Sequence, residues 1–535
     1  VLEGFARRGV GAALVMLGAL ALPRAQAAMT PAQASRFLAQ ATLGADYEEI
    51  QRTSHTTPKL WLQDQFARPI GYQQPFLDAR LRAGLEVGSD ERRFAWWQQV
   101  MDGPDPLRQR VALALSEIFV ISDVQGDVAA NPIGAANYYD MLLRNAFGNY
   151  RTLLRDVSLH PMMGAYLSHL RNDKSDPRSG RYPDENYARE IMQLFSIGLF
   201  QLRANGTLLK DGLGRPIPTY DNDDITEMAK IFTGLAFDGA DRDFYRGEES
   251  WTRPMRMYEE HHEPGPKHLL RGKYVPAGQA GMQDIDAAID NLFRHPNVGP
   301  FISRRLIQRL VTSNPSPAYV GRVAAAFANN GRGVRGDLKA VITAILLDPE
   351  ARAWPTAGGI TKGMLQESFL RRVHFARAFD AKNLAGTWPI SDPGAPDDFG
   401  QRPLSSPTVF NFFLPDYQPT GIIADAGLFA PEFQIVTSVT AITSANALRG
   451  EIRGTMNSDP NDALEVRLDL TDEIGIASDP VALVNRLDLL LMYGTMSNPM
   501  RGVLVHALEQ LPDPRERVLT ALQLISIAPE YAVLD

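Results

Sequence analysis

Apolar positions recur at three- and four-residue spacing along most of the chain. Thr30-Pro31 reads as an N-cap followed by proline at the first helical position, and Ala34, Phe37, Leu38 and Ala41 then share one face. Asp105-Pro106 repeats the device ahead of Leu107, Val111, Ala114, Leu115 and Ile118. The same spacing predicts helices over about 133–146, 149–158, 185–200, 223–235, 283–294, 299–312, 317–330, 335–347, 361–379, 431–448, 480–492, 498–511 and 514–527. Period-two alternation is scarce. The fold class is therefore mainly α, a multi-helical globular protein.

Three stretches break the pattern. Residues 201–220 carry Asn205-Gly206, Asp211-Gly212, Gly214, Pro216 and Pro218, the chemistry of tight hairpin turns. Residues 236–281 mix Gly, Pro, aromatics and charges without a helical stripe, with short strands expected near Arg256–Tyr258 and Leu269–Val275. A loop region of this length in a compact protein is usually functional. Trp388 to Pro419 is the third irregular stretch. The organisation expected is a helical region over 28–535, with sub-domains possible at 28–200, 201–281 (the small β and loop insertion) and 282–535. No fixed-period repeat is evident.

Composition narrows the function classes. The chain has no Cys, which excludes a disulfide scaffold, a thiol nucleophile and a Cys-ligated zinc. Its formal net charge of -8, without a Lys/Arg run longer than two, argues against a nucleic-acid partner. At the start, Arg7-Arg8, the apolar run Gly9 to Leu22 and Ala25-Gln26-Ala27 read as a signal peptide over 1–27 with cleavage before Ala28. The run is short of the roughly 20 apolar residues of a spanning helix, and no later segment is long and apolar enough. The expected location is periplasmic or secreted.

Three polar clusters are candidates for chemistry. In Glu185-Asn186-Tyr187-Ala188-Arg189-Glu190, Glu185 and Arg189 are four apart, as are Asn186 and Glu190. Arg189 can fix an anion while a Glu acts as base or ligand; the alternative is a structural ion pair. In Tyr220 to Glu227, Asp224 and Glu227 fit an N-cap with an acid three residues on, and the extra acids also fit a divalent metal site. In Glu259 to His268, three of the nine His lie within eight residues. His262-Glu263 is followed by Pro-Gly-Pro, which forbids a zinc-binding helix but leaves His262 as a general base, Lys267 beside it and Glu263 as a ligand. Arg110 and Glu117 fit a buried pair, Trp96-Trp97 fit core packing, and the single His160, His374 and His506 fit structural roles rather than ligation. No nucleophile elbow, phosphate-binding lysine loop or dinucleotide fingerprint appears in the context it requires.

Several segments, in chain order, resemble a bacterial family, domain of unknown function family 1800. They are Ala34 to Thr42, Glu185 to Glu190, Tyr220 to Gly234, His262 to Lys267, Phe301 to Leu306, Arg402-Pro403 through Phe410 to Pro415, and Ile527 to Tyr531. The resemblance spans nearly the whole mature chain. His262-Glu263 stands where the family usually shows His-Asp, and Leu235 where it usually shows Trp. The resemblance implies an exported, mainly helical protein and carries over no settled activity or catalytic role. It also implies a partner, because members often lie beside genes for a second exported family that resembles sulfatases and alkaline phosphatases.

Two readings follow. In the first, an exported hydrolase, metal-dependent or based on carboxylates and His, brings Glu185, Arg189, Glu190, Asp224, His262 and Lys267 into one pocket. The helices from 185 and 224 then pack side by side across the hairpin of 201–220. His262 sits on the loop above them, so His262→Ala is expected to be nearly neutral for folding. In the second, a non-catalytic scaffold or accessory protein binds a partner protein or surface polymer, and the same groups serve separate helix contacts.

Overall fold

Caps fix the helix boundaries in the computed structural model, which describes residues 28–241, 243–354, 363–457 and 462–534. Thr30 accepts a hydrogen bond from the Gln33 backbone N–H, and the Gln33 side chain accepts one from the Thr30 N–H. Proline sits in the first turn of Pro31–Ala41, and again in Pro106–Ser116, Pro317–Ala328, Pro480–Leu491 and Pro514–Ser526. Proline lacks the N–H that would be unpaired there, and its fixed φ suits the helix. The described residues form 26 α-helices and three two-stranded antiparallel sheets. The architecture is mainly α, as the apolar spacing predicts. The expected signal segment 1–27 lies outside the described residues.

The apolar stripes meet in one contiguous core that runs from Met29 to Tyr531. Phe37, Trp97, Leu142, Ile302, Val341, Leu487 and Leu522 are all buried in it. Residues 201–281 contribute Leu235, Leu269 and Val275 to the same cluster. The helix Pro31–Ala41 is tied to distant chain: the Ser35 hydroxyl donates to the Leu489 carbonyl at 2.6 Å, and Arg36 to the Ala351 carbonyl at 3.0 Å. Among the described residues, no helix is long and apolar enough to cross a membrane.

Some predicted elements differ. The helix expected over 185–200 is Asn186–Gln193. The Ile197 and Gly198 N–H groups both return to the Met192 carbonyl, and Gly198 adopts φ +72°. A Cβ there would lie 2.8 Å from the Phe301 ring, so glycine lets the chain turn beneath that ring. The stretch 431–448 divides into a 3-10 turn, Pro431–Gln434, and the helix Thr440–Arg453. Thr437 causes the break, because its hydroxyl accepts from the Thr440 N–H at 3.1 Å. The helix placed at 361–379 starts at Ser368, while 361 and 362 lie outside the described residues. Four helices between Tyr47 and Asp102 were not predicted. Two sheets fall inside 201–281 as expected, pairing Leu235–Ala236 with Arg256–Met257 and Lys267–Leu269 with Lys273–Val275. The third pairs Met364–Leu365 with Val533–Leu534, outside that region. Residues 200–218 form a ladder of isolated bridges, Leu202 to Leu208, Lys210 to Pro216 and Phe200 to Pro218.

His160, His169 and His374 are buried where helices meet, as packing roles require. The His160 Nδ1 caps Pro161–Tyr166 by accepting from the Met162 N–H, and His169 stacks on Tyr187 with ring centres 3.8 Å apart. Burial pulls His160 down to about 3 and His169 and His374 down to about 4. A depressed histidine stabilises the fold above its unfolded value, near 6.5, and loses that contribution as pH falls toward its folded value. Relative to His169→Gln, the parent chain should therefore lose about 1.4 kcal/mol per pH unit between about pH 6.5 and pH 4. Urea midpoints of both proteins at pH 7 and pH 5.5 check this.

Candidate functional site

The helices Asn186–Gln193 and Asn222–Ile231 pack side by side, as expected. The Thr226 hydroxyl joins them by donating to Glu185 Oε1 at 2.8 Å. Glu185 and Arg189 are half exposed and 3.9 Å apart, a loose surface pair. Asp221, rather than Asp224, is the N-cap of Asn222–Ile231. Asp224 occupies the third helical position and accepts from the Asp221 N–H at 3.0 Å, closing a reciprocal box. Glu227 accepts from the His268 N–H at 2.8 Å. Glu190 turns inward from the same helix as Glu185. Its Oε2 has no partner among the described residues, and burial raises the carboxyl to about 7 against the pull of Arg189.

His262 and Lys267 are both buried. His262 Nε2 faces Asp284 Oδ2 at 3.0 Å, and its Nδ1 faces the Thr233 carbonyl at 3.0 Å. Lys267 donates to the same Asp284 oxygen and to the Glu263 carbonyl. Gln279 donates to Asp284 Oδ1 at 2.8 Å, which completes the set. Burial would raise the Asp284 carboxyl, but hydrogen bonds from His262 and Lys267 hold it below the usual range. The turn beneath needs Gly234 at φ +80°, where a Cβ would lie 2.9 Å from the His262 nitrogen. This is an internal lock between the loop and the helix Gly281–Phe293. It corrects the expectation that His262→Ala leaves folding untouched, because the imidazole is 3% exposed rather than on an open loop. Glu263 points away and accepts from the Ser175 N–H and hydroxyl at 3.1 and 2.6 Å. The polar contacts of the expected pocket residues are of four kinds: an exposed pair (Glu185 and Arg189), a capping box (Asp224), a buried lock (His262 and Lys267) and the inward-turned Glu190. Among the described residues, no group of three His, Asp or Glu is arranged to hold a metal ion.

A groove of about 510 Å³ opens on the other side of Asn186–Gln193. Gln193, one turn after Glu190, lines it together with Phe200, Phe301, Phe410, Phe429 and the guanidiniums of Arg304, Arg305 and Arg309. Glu117 forms part of its floor. Behind Glu117 lies a chamber of about 20 Å³ bounded also by Glu367, Gln401 and Asn411, the size of a single water molecule. Among the described residues, Glu367 Oε1, Gln401 Oε1 and Asn411 Nδ2 are buried there without hydrogen-bond partners, and Glu117 Oε2 has an ion-pair contact but no well-directed hydrogen bond.

Tertiary packing brings this cluster together. Glu117 ends the helix Pro106–Ser116, and Glu367 begins Ser368–Ala378. Arg309, from Val298–Leu310, reaches Glu117 Oε2 at 3.3 Å and lies 4.3 Å over the Phe413 ring. Arg110 donates to the Arg309 carbonyl, and Gln401 donates to Glu367 Oε2. Burial, and then the neighbouring Glu367, push the Glu117 carboxyl well above its ordinary value. Burial also lifts Glu432, on the same cluster, to about 8. A helix C-terminus disfavours negative charge and an N-terminus favours it. Of the facing pair, Glu117 at the C-terminal end of its helix is the carboxyl pushed toward its protonated form.

Arg110 and Glu117 are both buried, but the expected pair is not formed: Glu117 pairs with Arg309, and Arg110 donates to the Arg309 carbonyl. Glu367, Gln401, Asn411 and Glu432 carry no local motif, and only their place in the fold identifies them. The family model described as Protein of unknown function (DUF1800) matches residues 36–533. No curated protein and no solved structure matches the chain.

Proposed function

The chain belongs to that family, and from this premise we propose that it is a hydrolase working outside the cytoplasm, with Glu117 as its acid–base group. The observation that carries the reading is a buried carboxyl, pushed well above its ordinary value by burial and by a facing carboxyl, in the lining of a groove large enough for a small molecule. Glu117 gives its proton to the leaving atom of the scissile bond. Water adds to the other side of that bond, and its proton returns to the ionised Glu117, so the groups end as they began. Arg309 holds the Glu117 carboxyl in place, and Glu367 keeps its proton available. Glu190, raised to about 7 one turn from the groove residue Gln193, is a second proton-exchanging group for the same site.

Glu117→Gln keeps the shape and removes the acid. Across a panel of nitrophenyl esters, glycosides, phosphates and sulfates, turnover by the parent should fall by about 10²–10⁴ in the variant, with its melting temperature little changed. Infrared difference spectra at neutral pH should lose one protonated-carboxyl band. Unchanged turnover, an inert parent on the whole panel, or an unchanged band rejects the reading.

Export is part of this proposal and is supported by the n-region, short apolar run and Ala-x-Ala site of residues 1–27. Mass spectrometry of protein recovered outside the cytoplasm should find Ala28 at the N-terminus; an intact Val1–Ala27 rejects it. The accessory reading, with a sulfatase-like partner, draws support from exposed Ile422, Val439 and Ile442, which are 82%, 63% and 64% accessible.

A further inference from the structure

We propose that the groove selects an amphiphilic anion, a ligand with an apolar ring or chain as its body and an oxyanion head held by Arg304 and Arg305. This names the ligand class of the site described above and rests on that groove being the working one.

The body is specified by the walls. Phe301, Phe410 and Phe429 face the groove from three segments distant in sequence. Its volume of about 510 Å³ falls within the roughly 300–1,000 Å³ of small-ligand sites. The head is specified by charge. Arg304 lies over the Phe429 ring at 5.2 Å and Arg305 over Phe301 at 5.1 Å. Stacking fixes both planar forks while leaving N–H edges directed away from the rings. Neither guanidinium makes a salt bridge among the described residues. The one carboxylate acting on both is Asp416, so two positive charges face one negative charge in a partly dry wall. Burial, with Arg304 alongside, brings Arg305 down to about 9, the signature of a cation without enough counter-charge. An oxyanion bridging the two forks would supply that charge. A neutral ligand of the same shape would leave it missing, and a cationic one would add to the repulsion.

The test is calorimetry on the full chain with four probes of one ring system: 2-naphthoate, naphthalene-2-sulfonate, 2-naphthylmethanol and 2-naphthylmethylammonium. The two anions should bind at least tenfold tighter than the alcohol, the ammonium should not bind, and anion affinity should fall as salt rises from 50 to 300 mM. A preference between carboxylate and sulfonate then identifies the head. In Arg304→Gln/Arg305→Gln, anion affinity should drop to that of the alcohol. Equal binding of alcohol and anions by the parent overturns the proposal whether or not the double variant folds. Anion binding unchanged in a folded double variant overturns it as well. Binding is read without turnover, so a failed anion preference and a failed Glu117 assay are separate results.

Discussion

Asp284→Ala is expected to lower stability by about 3–5 kcal/mol, the cost of removing one partner from a buried ion pair. The carboxylate is fully buried and receives Lys267, His262 and Gln279 at once. Its loss strands a lysine ammonium that is 1% exposed, leaving it only neutral contacts among the described residues, the Glu263 carbonyl and the His262 Nε2 at 3.3 Å. Against the 5–15 kcal/mol of a typical fold, this moves the urea midpoint far toward zero denaturant. Asp284→Ala/Lys267→Met removes the stranded charge too and should recover a large part of the loss. Because the Asp284 carboxyl sits below its ordinary value, its contribution is present above the unfolded carboxylate range and disappears as pH falls through the folded value. A single variant within 1 kcal/mol of the parent would show that the lock is not a stability element.

Arg372→Met should cost a similar amount, with the opposite dependence on pH. The guanidinium is buried between Asp392 and Glu451, donates to both and to the Met456 carbonyl, and lies 5.2 Å over the Trp97 ring. Burial disfavours its charge, yet the two carboxylates more than offset that and hold it protonated. Even with this partner, burial lifts Glu451 to about 7. Without it, the Glu451 carboxyl in the variant loses the pull that opposed burial and titrates further above its unfolded value. The variant is then most stable in acid and loses stability as pH rises through that folded value. The predicted deficit is about 3–5 kcal/mol at pH 8 and clearly smaller at pH 5.5, read from paired denaturation curves. A deficit independent of pH would mean that packing on Trp97, not charge, is what was lost.

Helix ends were the most legible part of the sequence, because a cap is local chemistry. Ser316-Pro317, Asp479-Pro480 and Asp513-Pro514 place their helices almost to the residue. The helices between Tyr47 and Asp102 escaped notice for the converse reason. Gln74–Arg82 buries only Leu77, so no stripe announces it. The site divides along the same line. Glu190, Arg110 and Glu117 show as charged residues among apolar neighbours, a signal visible within one or two turns. Glu367 and Gln401 look ordinary in sequence and join the cluster only because Ser368–Ala378 and the loop after Phe399 deliver them to Glu117. His262 misled in the other direction. A Pro-Gly-Pro loop rich in His and Glu looks solvated, but Gly234 lets that loop sink against Gly281–Phe293 and bury the imidazole.

The bond from Ser35 to the Leu489 carbonyl spans 454 positions of sequence. On a ribosome adding roughly 5–20 residues per second, the helix Pro31–Ala41 emerges roughly 20–90 s before the segment that seats it. Through that interval Phe37 already meets Trp61, with ring centres 5.0 Å apart, and the helix meets Tyr47–Ser54, so it is the Ser35 side that waits for its final partner. A polypeptide closed this way receives one of its longest ties only when synthesis is nearly complete, so its first helix is held by near neighbours before it is held by the far end.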